Sequence, residues 1–184
     1  MDISKINIRI LCLLLFFTSQ SMCAQKYFTR TGTTEFKASV DAFEPVEATG
    51  NSSSAILTNS GDFAAQVFIN SFQFRVALMQ EHFNENYMDS DSFPKATFRG
   101  KIQGFEGFDG STMREYTLSG TLTIRGKTKK VTLPIRFTPN KGQWVLAGTF
   151  EVTAAEFGIE IPSIVRKKIA KNIRISIHYE LSKK

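Results

Sequence analysis

The sequence predicts an all-β protein of eight antiparallel strands interrupted by one short amphipathic helix, arranged as a sandwich or a closed barrel. Three observations carry that expectation. Apolar residues recur at every second position in segment after segment, so each strand has one apolar and one polar face, which excludes a parallel sheet buried on both sides. Gly, Asn, Asp and Pro separate these segments as turns. One stretch, Arg75 to Met88, leaves period two for a spacing of three or four.

The chain has 184 residues, of which 42% are hydrophobic and 22% charged, which fits one folded domain and excludes whole-chain disorder. Seventeen Phe against one Trp and four Tyr supply aromatic bulk for an interior that must be filled or lined. Two His and two Cys are too few for a multi-ligand metal centre or a disulfide framework unless a pair converges. Nothing in the sequence calls for a metal or other cofactor.

Residues 1–24 have the plan of a secretory signal peptide: Lys5 and Arg9, the apolar run Ile10 to Phe17, the polar Thr18 to Ser21, and the small Ala24. The apolar run is too short to span a bilayer. Cys23 raises lipoprotein processing as an alternative, but Ser21 and Met22 lack the residues that such processing favours. Cleavage after Ala24 also removes Cys12, leaving a mature chain, 25–184, without cysteine and suited to an oxidising compartment. Loss of Lys5, Arg9 and Asp2 lowers the net charge of +6 by one. The rest reads as a single domain with no repeat, linker or low-complexity tract.

The strands follow in order. Phe36, Ala38 and Val40 mark the first, and Val46 to Leu57 a weaker second. Phe63, Ala65, Val67 and Ile69 mark the third. The helix comes next, its apolar Val76, Met79, Phe83 and Tyr87 on one face and Glu81, Asn84 and Glu85 on others, for about three turns ending at Asp89-Ser90-Asp91-Ser92. Such a helix either lids a barrel mouth or packs on an open edge. Ala96, Phe98 and Ile102 form the fourth strand. Tyr116, Leu118, Leu122 and Ile124 alternate with Thr117, Ser119, Thr121 and Thr123 in the fifth. After the turn Arg125-Gly126-Lys127, a sixth strand runs through Val131, Leu133, Ile135 and Phe137, with Pro134 requiring an edge or a bulge. Trp144, Leu146 and Phe150 mark the seventh strand, and Ile173 to Leu181 the eighth. Helical turns are further expected at Ala154 to Phe157 and Ile164 to Ala170.

Catalytic signatures are missing. No G-x-S-x-G occurs, and the mature chain has no thiol. His82 lies on the helix beside Glu81 and Glu85, and reads as a surface or mouth residue; His178 should face solvent. Gly104, Gly107 and Gly110, interleaved with Phe105 and Phe108, read as a loop, since no helix follows to hold phosphate. Two basic clusters, Arg125 with Lys127, Lys129 and Lys130, and Arg166 with Lys167, Lys168, Lys171 and Arg174, are either solvated turns or contacts for anionic head groups or envelope polymers. Export argues against nucleic acid. A small barrel either fills its interior or holds one apolar ligand. The inward Gly100, Gly120 and Gly148 leave a groove among bulky neighbours, or else relieve strand coiling.

Two stretches resemble the YceI-like family: Glu81-His82-Phe83-Asn84-Glu85-Asn86-Tyr87 through Phe93-Pro94-Lys95-Ala96-Thr97-Phe98, and Leu118-Ser119-Gly120-Thr121-Leu122-Thr123-Ile124-Arg125-Gly126-Lys127 through Ile135. Glu156-Phe157-Gly158-Ile159 is similar to a late motif of the family. The resemblance implies an exported, eight-stranded antiparallel lipocalin-like barrel that encloses a polyisoprenoid chain, with the helix near one barrel end. It implies binding without turnover, in the periplasm of a Gram-negative bacterium. The expected ligand is a long-chain apolar amphiphile, a polyisoprenoid, quinone or similar lipid, with peripheral membrane contact as a further expectation. The expected lining is Phe68 or its neighbours Val67 and Ile69, with Met79, Phe83, Phe98, Ile102, Leu118, Leu122, Leu133, Ile135, Phe150 and Phe157. The alternative is a solid-core envelope module that engages a partner through its edge or its basic clusters.

Overall fold

The computed structural model describes residues 25–40, 42–108 and 112–184. Its strands are β1 (Lys26–Ser39), β2 (Glu47–Thr58), β3 (Asp62–Phe68), β4 (Phe72–Gln73), β5 (Lys95–Ile102), β6 (Arg114–Ile124), β7 (Lys127–Asn140), β8 (Gln143–Val152) and β9 (Ile169–Lys183). Each long strand pairs antiparallel with its neighbours in the order β1-β9-β8-β7-β6-β5-β3-β2, and β1 pairs back onto β2. The sheet is therefore a closed eight-stranded antiparallel barrel, with the two-residue β4 added to β2. Closure removes the exposed edges that an open sheet would leave.

Local chemistry accounts for the hairpins. Ile124 pairs with Lys127 across Arg125-Gly126, and Asn140 with Gln143 across Lys141-Gly142. All four turn residues have positive φ (47°, 71°, 46° and 83°), the two-residue primed turn whose twist suits adjacent strands. Pro134 stays in register with Thr117 of β6, while the pairing of β7 with β8 begins one residue later, at Ile135. Its missing N–H falls where the ladder toward β8 ends.

Three local expectations are corrected. β1 starts at Lys26, well before Phe36; after the buried Tyr27 its early inward positions are Thr29, Gly32 and Thr34, and these non-apolar residues, with register shifts between them, mask the apolar alternation. The helix α1 is short, Ala77–His82, and continues as a wider-wound turn over Phe83–Met88 that ends at a left-handed Asp89. Widening lets Phe83, Tyr87 and Met88 pack against one cluster despite their spacing. Only Arg166–Lys168 of the expected 164–170 helix is helical, because Ile169 already pairs with Ser39 as the start of β9. The turn at Ala154–Phe157 forms as expected, closed by reciprocal bonds between Thr153 and Glu156. Those bonds, the backbone one foremost, hold the Glu156 carboxyl below its ordinary pKa.

The barrel interior is packed at one end. Tyr27, Phe105, Phe108, Tyr116, Phe137 and Trp144 plug the end that carries the β2–β3, β5–β6 and β7–β8 connections. Phe108 lies flat on Trp144, ring centroids 4.1 Å apart. The opposite end carries the longer connections, including α1 and the segment between β8 and β9.

Candidate functional site

Above the plug the inward side chains do not meet, and a cavity of about 570 Å³ remains. Its floor is built from Phe63, Phe98, Leu118, Leu133 and Tyr179. Phe63 stacks against Tyr179 at 6.3 Å. Gly32 makes room for this ring, since a Cβ there would overlap it. Thr34 Oγ1 lies 2.8 Å from Ser53 Oγ and 3.2 Å from the Tyr179 hydroxyl, so three buried hydroxyls satisfy one another within an otherwise apolar floor. Burial pushes the Tyr179 phenol above its ordinary pKa, and the bonds with Thr34 and Ser53 partly offset this.

The walls are apolar. Inward residues of β9, Ile173, Ile175 and Ile177, stay half-buried because they face the hollow. Phe83 closes one side together with Phe36, Phe72 and Phe74, at ring separations of 5.2, 5.7 and 5.0 Å. Past Ile135 and Gly148, β7 and β8 no longer pair; the turn bearing Phe157 packs against β7 there, anchored by a 3.1 Å bond from Arg125 Nη1 to the Gly158 carbonyl. The rim carries Glu44, His82 and Lys168. No His/Cys/Asp/Glu cluster suited to a metal occurs among the described residues.

Of the side chains expected to line a site, Val67, Ile69, Met79, Phe83, Phe98, Leu118, Leu122, Leu133, Phe150 and Phe157 border the cavity. Three do not. Phe68 points outward under Lys95 Nζ, 4.7 Å from its ring centre, because β3 directs Phe63, Ala65 and Val67 inward. Ile102 and Ile135 are buried in the packed core away from the cavity surface, Ile102 at the plugged end. The glycine groove is also corrected: a Cβ on Gly120 would come within 2.7 Å of Phe98 Cζ, and one on Gly148 within 3.0 Å of Ile135 Cγ2. Bulky neighbours fill those spaces, and the hollow lies elsewhere.

Sequence reasoning did not nominate Phe36, Phe72, Phe74, Tyr179 or the β9 isoleucines as lining. Alternation already marked Phe36 and Ile173 to Ile177, and the Phe72-x-Phe74 spacing was available as a signal. The contributions of Ile161, Val165 and Ile169 depend on how a loop folds over the rim.

A closed antiparallel barrel, plugged at one end and hollow at the other, with a short helix at its mouth, defines a lipocalin-like barrel. The sequence profile of the YceI-like domain matches residues 15–181, and the chain belongs to that family. Three solved structures are similar. BcnA of Burkholderia cenocepacia is 19% identical, with a TM-score of 0.67, over 82% of this chain and 96% of that one. A polyisoprenoid binding domain from Saccharophagus degradans, described as implicated in plant cell wall breakdown, is 11% identical at TM-score 0.73, over 86% and 98%. The Campylobacter jejuni YCEI protein is 15% identical at TM-score 0.58, over 75% and 86%. Comparison with curated proteins found no match.

Proposed function

We propose that this barrel binds and carries a long-chain amphiphile with an apolar tail, of the polyisoprenoid or quinone kind, without chemical turnover. The observation that carries the reading is the cavity: about 570 Å³, walled by Phe, Ile, Leu and Val, and open at one end. Its size falls within the roughly 300–1,000 Å³ of small-molecule sites. Each tail methylene buried there contributes about 0.8 kcal/mol, so a few isoprene units give useful affinity without a polar handle. The name of the Saccharophagus degradans domain supports the choice of ligand class. A solid-core module is the weaker reading, since only the plugged end is solid.

The test is native mass spectrometry of protein gently purified from its own envelope. A bound mass in the polyprenyl or quinone range is the expected result, and a clean apo mass would overturn the reading. The reading includes export to the periplasm; residues 1–24 lie outside the described residues. After cell fractionation the protein should be found in the periplasmic fraction with its N-terminus at Gln25, and recovery only from the cytoplasm with Met1 in place would overturn export.

A further inference from the structure

We propose that the connection between β8 and β9 docks onto a bilayer containing anionic phospholipid and holds the cavity mouth against it. Ile164, at the tip of this connection, is 86% exposed, more than any other large apolar residue described. Arg166, Lys167 and Lys168 follow at once and are exposed. Among the described residues, Lys167 and Lys168 have no ion-pair partner. Arg166 Nη2 donates to the Ile161 carbonyl at 3.3 Å, which ties the tip to its own base. The same segment belongs to the mouth, because Ile161, Val165, Lys168 and Ile169 border the cavity.

Two further exposed apolar side chains, Phe43 of the β1–β2 connection and Leu78 of α1, border the cavity at this end. Single apolar side chains set around an opening, with cations beside one of them, suit insertion between lipid head groups: the apolar tips reach the acyl boundary while the lysines meet phosphates. Charge complementarity selects the occupant. Glu44 on the rim and the exposed Glu81 and Glu160 oppose an anionic surface, so contact is made chiefly through 164–168, with the barrel tilted toward that loop. A tail entering through this mouth would pass from bilayer to cavity without crossing water. The inference rests on the lipid-binding reading for its purpose and on the rim alone for its existence.

The test is sedimentation of the purified protein with vesicles of phosphatidylcholine, with and without phosphatidylglycerol. Binding should require phosphatidylglycerol and should weaken at least tenfold at about 0.5 M salt, where screening shortens the reach of charge. Lys167→Glu, at a cation that does not border the cavity, should lower partitioning by roughly fivefold or more, and Ile164→Asp should also lower it. Both variants should keep the wild-type melting temperature and its binding of a fluorescent polyprenyl probe in vesicle-free solution. Equal binding to both vesicle types, unchanged partitioning of the variants, or capture only by an acidic protein would overturn the proposal. Loss of probe binding by the wild type with vesicle docking intact would instead remove the lipid-binding reading.

Discussion

Phe83, from the wide turn after α1, stacks nearly parallel on Phe36 of β1, with ring centroids 5.2 Å apart and planes 19° apart. This contact ties the helical segment to the barrel wall beside the mouth. The segment is a cover resting on the rim, since no residue of α1 itself is buried.

Phe83→Ala should therefore accelerate release of a polyprenyl or fatty-chain probe. Because Phe83 is only half-buried, its truncation should cost about 2 kcal/mol, below the ~3–5 kcal/mol of a fully packed Phe. Stopped-flow dissociation checks the first outcome and urea unfolding the second. His82 is a poor control because it borders the cavity; the exposed Glu81 is a better one, and Glu81→Ala should leave release unchanged. Equal off-rates for Phe83→Ala and wild type would remove the cover role.

Leu122→Arg places a charge on the apolar wall of β6, beside Phe98, with no acidic partner in reach on its own face. It should destabilise by several kcal/mol and abolish probe binding. Thr123 points outward, its hydroxyl 2.9 Å from that of Thr128, so Thr123→Arg should cost less than about 1 kcal/mol. Thermal melts of the two neighbours should differ widely.

Phe108→Ala removes the ring that covers Trp144 at the plugged end. It should lower the melting temperature and shift emission from this single Trp, while probe affinity at the opposite end stays within about twofold of wild type. A large loss of affinity would show that plug and cavity are one cooperative unit.

The buried Tyr179 phenol predicts a pH dependence. Its pKa is raised from 10.0 in the folded protein, so above pH 10 the unfolded chain loses its phenolic proton first and holds fewer protons than the native state. Stability from this group is intact below pH 10 and declines as pH rises past it. Tyr27 is raised in the same direction by burial, so Tyr179→Phe should flatten the alkaline decline without abolishing it. Near neutral pH the same change should cost about 1 kcal/mol, since Thr34 and Ser53 still bond each other. Urea titrations between neutral and alkaline pH measure both effects.

Local rules, being local, made much of the barrel legible from residues alone. Period-two alternation located the strands, and the Arg125-Gly126 pair located a hairpin whose turn requires two positive φ values. Alternation placed Leu118, Leu122 and Leu133 on the inner face, where the structure has them. It failed at Lys26 to Glu35, where buried threonines stand in for apolar residues; in β3 it held, and the expectation of Phe68 as lining departed from the alternation of Phe63, Ala65 and Val67 that turns Phe68 outward.

What alternation cannot carry is whether an inward side chain meets another across the barrel. Ile135 and Leu133 sit two residues apart on the same face of β7, yet one is packed away from the cavity and the other borders it. Gly100 and Gly120 promise space that the Phe98 ring takes, and Gly32 provides space for Tyr179 from the far side of the closure between β1 and β9. The residues themselves determined the strands, their faces and their turns, because those depend on backbone geometry and nearest neighbours. The plugged end, the hollow and the covered mouth were decided by closure of the barrel, because filling a volume depends on side chains brought together from strands far apart in the chain.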